Sequence, residues 1–366
     1  RFRDKLVSQS GLLHSCNHLG RQLPATVGRP PLVKKATLVG GSMEDNEALD
    51  RIDEMRDLVN ANLESIIAEQ SAIFGEVAEV SGQVVLAGGK RIRPIMVMLA
   101  YDLADGQDLD EIIPFAMSNE FIHTASLVHD DINDEALTRR GQDTIHAKYG
   151  QAKAIIAGDW LFSQGFGLGG QYEKSVVDVM AHYCSKLASA EFTQIDHILD
   201  LSTNPEDYLE IVKGKTAGPF AAGCKGAGLI ANASEEACEK LFDFGMEIGI
   251  AFQLVDDLLD IRGDERMGKP RGSDIYEGKM TLPIIHALTI LHGDQRARFA
   301  EIIHNFEDSL FDELITLLNF GDSLNYTEIL IQNHLERAMQ NLDYFPDCDA
   351  KQLLKHLVGL IKNRHK

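Results

Sequence analysis

From Met43 onward, apolar residues recur at spacings of three and four. The first run takes in Leu49, Ile52, Met55, Val59, Leu63, Ile66 and Ile67, the repeat that places side chains on one face of an α-helix. The same period continues over 112–134, 152–166, 177–187, 241–261 and 282–291. Between the runs sit residues that end helices: Gly88-Gly89, Asn204-Pro205, the stretch from Gly263 to Gly272, and Gly278. The pattern predicts an all-α fold, a single large helical bundle. Helices apolar around much of their circumference should surround a central one and leave an interior space.

Two of these runs end in acidic clusters of one form, Asp130-Asp131-Ile132-Asn133-Asp134 and Asp256-Asp257-Leu258-Leu259-Asp260. Residues four apart stack on one helix face, so Asp130 and Asp134 share a face, as do Asp256 and Asp260, with the middle aspartate about 100° round. Carboxylates held side by side repel unless cations neutralise them. A single such cluster is usually a solvated helix face. Two copies, each following an apolar segment (121–128 and 248–255), point instead to helices that emerge from a core and hold a divalent metal at the mouth of the interior space. Hard oxygen donors suit Mg²⁺, which keeps most of its waters and shares phosphate oxygens with a substrate. The implied ligand is a diphosphate.

The charge balance sharpens this reading. The chain has 56 acidic and 35 basic residues, a formal net charge of −21, which argues against a nucleic-acid partner. An anionic substrate must therefore be met by metal and by local clusters of cations. With 366 residues, 44% of them hydrophobic, the chain can bury one large core. The five cysteines, at 16, 184, 224, 238 and 348, follow no zinc or disulfide spacing and read as reduced intracellular thiols. No apolar run approaches the ~18–20 residues of a membrane span, so a soluble, cytoplasmic protein is expected. Residues 1–42 stand apart as a basic leader outside the core, expected to be disordered: Arg1 to Lys35 holds seven Lys/Arg against the single acid Asp4. An organelle transit peptide, a disordered tail and a stretch upstream of a start at Met43 are the competing readings. The last is favoured, because the chain begins without Met and Gly40-Gly41 could encode a ribosome-binding site. The catalytic domain is then 43–366.

Cations flank both acidic clusters. Gly88-Gly89-Lys90-Arg91-Ile92-Arg93-Pro94 sets three of them after a flexible glycine pair, with Pro94 suited to a first helical turn. Arg139-Arg140 follows the first cluster, and Lys215-Thr216 and Lys269 lie before and after the second. Any one of these alone would read as surface charge; four groups around two acidic motifs read as an anion site.

With these residues in view, the chain resembles the trans-isoprenyl (polyprenyl) diphosphate synthases, of the geranylgeranyl or longer-chain type. The resemblance covers essentially Met43 to Lys366. It rests on ordered blocks: Gly88 to Pro94, Phe121 to Asp134, Arg139-Arg140-Gly141, Lys215-Thr216, Phe252 to Asp260, Gly268-Lys269-Pro270 and Glu277-Gly278-Lys279. The resemblance implies an all-α bundle around a deep apolar tunnel, a homodimer, and head-to-tail condensation of isopentenyl diphosphate onto an allylic diphosphate with release of pyrophosphate. It implies that Asp130 and Asp134 bind Mg²⁺ shared with the allylic diphosphate and that Asp256 binds a further ion from the opposite side, two to three ions in all. Asp131, Asp257 and Asp260 would assist. By the same resemblance Arg139, Lys215, Thr216, Gln253 and Lys269 hold the allylic diphosphate, while Lys90, Arg93, His123 and Arg140 hold isopentenyl diphosphate without metal. No role is expected for His129. The basic end, Ile361 to Lys366, is similar to a tail that closes over the site.

Product length should be set where the growing chain runs down the helix of the first cluster, one turn of about 5.4 Å being close to one isoprene unit. The residues five and four before Asp130 are Ala125 and Ser126, and in short-chain relatives a bulky aromatic there forms a floor. Both are small here, so elongation to twenty carbons or more is expected. Ile122 and Phe121 offer the next level, and Phe162 or Phe166 of a neighbouring helix could supply the floor. On this reading Ala125→Phe shortens the product. Transient membrane contact would serve release of so apolar a product. Two other classes compete: a class I terpene cyclase, which would need no isopentenyl site, and a non-catalytic subunit of a heteromeric synthase, which would be expected to have lost acidic motifs.

Overall fold

The computed structural model describes Met43, residues 45–263 and residues 271–363. The basic leader, Lys269 with its block, and the last three basic residues lie outside the described residues. Helix α1 (Asp45–Phe74) breaks at Gly75 into α2 (Glu76–Val85), and the Gly88-Gly89 loop leads into α3 (Ile92–Leu103). The first acidic cluster closes α4 (Leu109–Asn133), whose N-cap Asp108 accepts a bond from the Asp110 amide. A two-residue hairpin, β1 (Thr138–Arg139) with β2 (Gln142–Asp143), then precedes α5 (Ile145–Tyr149), α6 (Gln151–Gly169) and α7 (Lys174–Asp196). A capping box of Asn204 and Asp207, with Pro205 at the first position, starts α8 (Pro205–Val212). That helix runs through a π-helical turn, Lys213–Ala217, into α9 (Gly218–Ile230).

The second cluster ends α10 (Glu235–Arg262), and α11 (Ser273–Tyr276) returns beside it. The remainder is α12 (Leu282–Ile290), α13 (Gly293–His304), a 3₁₀ turn at Asp308–Leu310, α14 (Phe311–Phe320), α15 (Ser323–Leu342) and α16 (Asp349–Asn363). The expected all-α bundle is present, and every predicted helix exists, with the breakers Gly88-Gly89, Asn204, Gly263, Gly272 and Gly278 in loops or caps.

Helix α10 is the central one. It packs on α9, α15 and the π-turn, and its buried residues, among them Leu241, Phe244, Ile248, Ile250, Leu254 and Leu258, point round most of its circumference, as a core helix requires. Gly249 allows the closest approach: a Cβ there would lie 2.3 Å from the Cα of Ala217 in the π-turn. Two chemistry-bearing elements are thereby pressed together. Helix α4 packs along α6, with the Ser118 hydroxyl donating to the Gly165 carbonyl at 2.7 Å. Among the described residues no helix is long and apolar enough to cross a membrane.

Candidate active site

The first cluster divides as helical geometry requires. Asp130 and Asp134 face one way: Lys215 Nζ stands 3.5 Å from Asp130, and Lys279 Nζ lies 3.0 Å from Asp134. Asp131 turns to the hairpin and accepts a bond from Arg139 Nε at 2.6 Å. Lys215 also reaches Glu191 at 2.5 Å and donates to Gln194 Oε1 at 2.8 Å, both on α7. Lys279 is shared with Glu277 at 2.5 Å.

The second cluster divides in the same manner. Asp257 is 1% exposed, and its two oxygens accept from Tyr208 Oη at 2.5 Å and Gln253 Nε2 at 2.9 Å. Gln253 in turn accepts from the Thr216 hydroxyl at 2.8 Å. Asp260 accepts from the Asp274 amide at 3.2 Å.

Two bridges join the clusters. In the π-turn, Lys215 reaches the first cluster while the adjacent Thr216 reaches Gln253, one turn before Asp257. Residues 273–279 do the same from the other side: the Asp274 amide holds Asp260, the Lys279 amide bonds to the Asp274 carbonyl at 2.8 Å, and the Lys279 ammonium holds Asp134. A π-helical turn within an α-helical run is commonly a functional feature; here it lets consecutive residues serve two motifs.

Carboxylates outnumber cations at this mouth. Burial raises Asp130 above the ordinary carboxylate value, Lys215 opposing and Glu191 and Asp134 reinforcing. Burial also raises Asp131 and Glu277, against Arg139 and Lys279 respectively. Asp257 is pushed up to about 8 by burial and by Asp274, against its two hydrogen bonds. Among the described residues no three His, Cys, Asp or Glu side chains converge as a ready metal cage. Oxygen donors in surplus, yet not converged, are what Mg²⁺ uses when waters and a diphosphate complete its shell; the residues present fit that ion.

Beside the carboxylates lies the cation cluster. Gly88 and Gly89 have φ of 84° and 141°, a backbone that favours glycine, and a Cβ on Gly89 would sit 2.9 Å from Arg140 Nη1 and turn that guanidinium aside. Arg140 donates to the Gly88 carbonyl. Arg93 contacts His123 Nε2 at 3.3 Å, and its guanidinium lies 4.3 Å from the centroid of the Phe220 ring. Burial pulls Arg93 down to about 10, with Glu120 and Asp256 opposing, so it stays charged at neutral pH. His123 is held well below its ordinary value by burial and then by the four arginines around it; a neutral ring accepts from Arg93. Lys90 is exposed on the loop. A cleft of about 370 Å³ opens here, lined by His123, Arg139 and Arg140 among others.

Sequence reasoning separated Arg139 from Arg140 by substrate; the structure lines one cleft with both. It also adds residues that the sequence had not singled out: Glu191 and Gln194, Tyr208, Asp274 and the ammonium of Lys279. Only Lys279 carried a signal, as part of a recognised block without a role.

Below the mouth a slim channel of about 40 Å³ runs between α4, α7 and α9. Ser126 and Ile122 line it. Ala125 and Phe121 are fully buried in the core, and helical spacing sets Ala125 on the same stripe as Ser118, Ile122 and His129, three residues that meet α6. Phe162 and Phe166 stack at 6.4 Å between centroids, and Phe162 meets His129; neither phenylalanine lines the channel.

A polyprenyl synthetase family model matches residues 75–317. The chain belongs to that family. It is 32% identical to octaprenyl diphosphate synthase of Haemophilus influenzae over 321 residues, 86% of this chain and 97% of that one. It is 34% identical to geranylgeranyl diphosphate synthase of Methanosarcina mazei over 296 residues, 79% and 90% of the two chains. Among solved structures, the geranylgeranyl pyrophosphate synthetase of Pyrococcus horikoshii superposes with a TM-score of 0.81 at 33% identity, covering 87% of this chain and 98% of that one. A Caulobacter crescentus polyprenyl synthase complexed with calcium and isoprenyl diphosphate gives 0.80 at 32%, covering 86% and 98%. The chain is thus a prenyltransferase, and the cyclase and non-catalytic readings are set aside.

Proposed function

We propose that this polyprenyl synthetase condenses isopentenyl diphosphate with an allylic diphosphate in a Mg²⁺-dependent reaction that releases pyrophosphate and yields a prenyl chain of twenty carbons or more. The observation that carries this is the double bridge, which sets two acidic clusters and two lysines at the mouth of a channel into the apolar core. Asp130, Asp134 and Asp256 would hold the metal. When bound, Mg²⁺ would neutralise the diphosphate and the charge that grows on it as its C–O bond lengthens. Lys215 and Lys279, now paired with carboxylates, would turn to the allylic diphosphate, with Thr216 and Gln253 beside them. Lys90, Arg93, His123 and Arg140 would orient isopentenyl diphosphate so that its double bond meets the allylic carbon, an encounter made effectively unimolecular. The departing pyrophosphate would take the proton, so no protein base is required.

A homodimer fits the exposed apolar side chains of Ile155, Ile156 and Phe166 on α6 and of Phe192 and Ile195 on α7. The direct test is incorporation of labelled isopentenyl diphosphate into an extractable product. Incorporation should require both an allylic primer and Mg²⁺ and stop on chelation; consumption of the primer without isopentenyl diphosphate would contradict the proposal.

A further inference from the structure

Of the three cations in the Gly88–Pro94 loop, Arg91 has no place in the substrate contacts described so far, and it turns inward. It is 5% exposed, as is Glu120 of α4, whose carboxylate accepts from Arg91 Nη1 at 2.6 Å. The other two nitrogens are used as well. Nε donates to Asn60 Oδ1 on α1 at 2.9 Å, and Nη2 donates to the Val85 carbonyl, at the end of α2, at 2.6 Å. One guanidinium thereby joins α1, α2 and α4, which its rigid fork of donors allows and a compact ammonium would not. Its main chain is constrained too. Arg91 is the N-cap of α3 with φ of 51°, a left-handed conformation uncommon for a residue with a side chain and kept only where the surroundings impose it.

Arg91 and Arg93 stand on either side of Ile92, and α4 meets both. Glu120 takes the first; His123, one turn further along, meets Arg93 at 3.3 Å. Glu120 also acts beyond its direct partner. Burial lowers both Arg93 and Arg140, Glu120 opposes that at each, and the charge of Arg91 adds to the lowering at Arg140. Paired with Glu120, Arg91 competes less with the two arginines assigned above to isopentenyl diphosphate. Both members of the pair border the cleft, yet their charged atoms are spent on each other and on neighbouring helices. A buried ion pair is weak evidence for stability, since apolar residues of similar size commonly replace one without loss; this one is better explained by what it holds in place.

We propose that Arg91 and Glu120 are positioning residues for isopentenyl diphosphate: the buried pair fixes the turn that aims Lys90 and Arg93, and touches no substrate itself. The inference rests on the synthase reading above and deepens it.

The test uses the full chain with Mg²⁺, an allylic primer and labelled isopentenyl diphosphate, each substrate varied in turn. Glu120→Gln leaves Arg91 without its counter-charge and should raise KM for isopentenyl diphosphate about tenfold or more, with KM for the allylic diphosphate unchanged. Arg91→Lys keeps the charge without the fork and should not restore the wild-type value. Asn60→Ala removes one of the three partners from a half-buried position; it should raise the same KM about threefold, and it decides the matter if Glu120→Gln does not fold. Arg91→Met combined with Glu120→Leu leaves no charge unpaired, and KM for isopentenyl diphosphate should stay raised, a result that a merely structural pair would not give. A return of that KM to the wild-type value in the combined variant overturns the proposal, as does a rise of both KM values together. Unchanged KM values in Glu120→Gln and Asn60→Ala, with the wild type active, overturn the positioning role and leave the synthase reading standing. If the wild type incorporates no isopentenyl diphosphate at all, the synthase reading itself fails and the positioning role falls with it.

Discussion

Tyr208 shows how much of this site is held by residues that never meet substrate. Its hydroxyl and the Gln253 amide occupy both oxygens of Asp257, so Asp257 anchors the second cluster from behind while Asp256 and Asp260 lie on other faces of α10. A hydrogen bond contributes about 0.5–1.5 kcal/mol. Tyr208→Phe should therefore lower kcat/KM by about two- to tenfold, raising KM for the allylic diphosphate more than for isopentenyl diphosphate; steady-state kinetics with each substrate varied in turn would show the split. His123 makes a second prediction. Its folded value lies below the ordinary imidazole value, so below about pH 6.5 the unfolded chain takes up a proton that the folded one refuses. Stability should fall as pH drops from 7 toward 5, and His123→Gln should flatten that slope in urea midpoints measured across the range. The type and place of Asp130, Asp256 and His123 were legible in the sequence because spacing alone puts them on their helices. The partner of Arg139 was not, since Asp131 reaches it only through the turn of the hairpin.

At the scale of elements, the long helices could be read from periodicity because each buries a continuous face. The second cluster on α10 was placed within a run whose predicted end, Ile261, falls one residue short of the helix. The hairpin, the π-turn and α11 could not be read this way. They are short, carry little apolar period, and take their shape from contacts made elsewhere: the π-turn from Gly249 against Ala217, and α11 from the Asp260 side chain that receives its Asp274 amide. Gly249→Val should therefore act on both stability and catalysis. The added side chain forces α10 from the π-turn at a cost of about 1–3 kcal/mol, so the melting temperature should fall by several degrees. The allylic KM should rise with it, because Lys215 and Thr216 move. Calorimetry beside kinetics would separate the two effects. The product channel is a similar case: Ser126 was expected to line it, but whether Ala125 or Ser126 faces the void depends on the rotation of α4 against α6. With Ala125 on the α6 side, Ser126→Phe is the substitution that should shorten the product.

For the molecule as a whole, the net charge of −21 is reconciled with an anionic substrate by position. Cations are gathered at the Gly88–Arg93 loop, the hairpin, the π-turn and Lys279, beside the carboxylates proposed above to hold metal. The central claim is that the two acidic clusters, 126 residues apart in sequence, act as one centre. The most direct measurement is the rate of isopentenyl diphosphate-dependent pyrophosphate release for the wild type, Asp130→Ala, Asp256→Ala and the double variant. One centre predicts that each single change costs about 10²–10³-fold and that the double variant is little worse than either alone. Losses that multiply in the double variant, or a single change that leaves the rate intact, would contradict it.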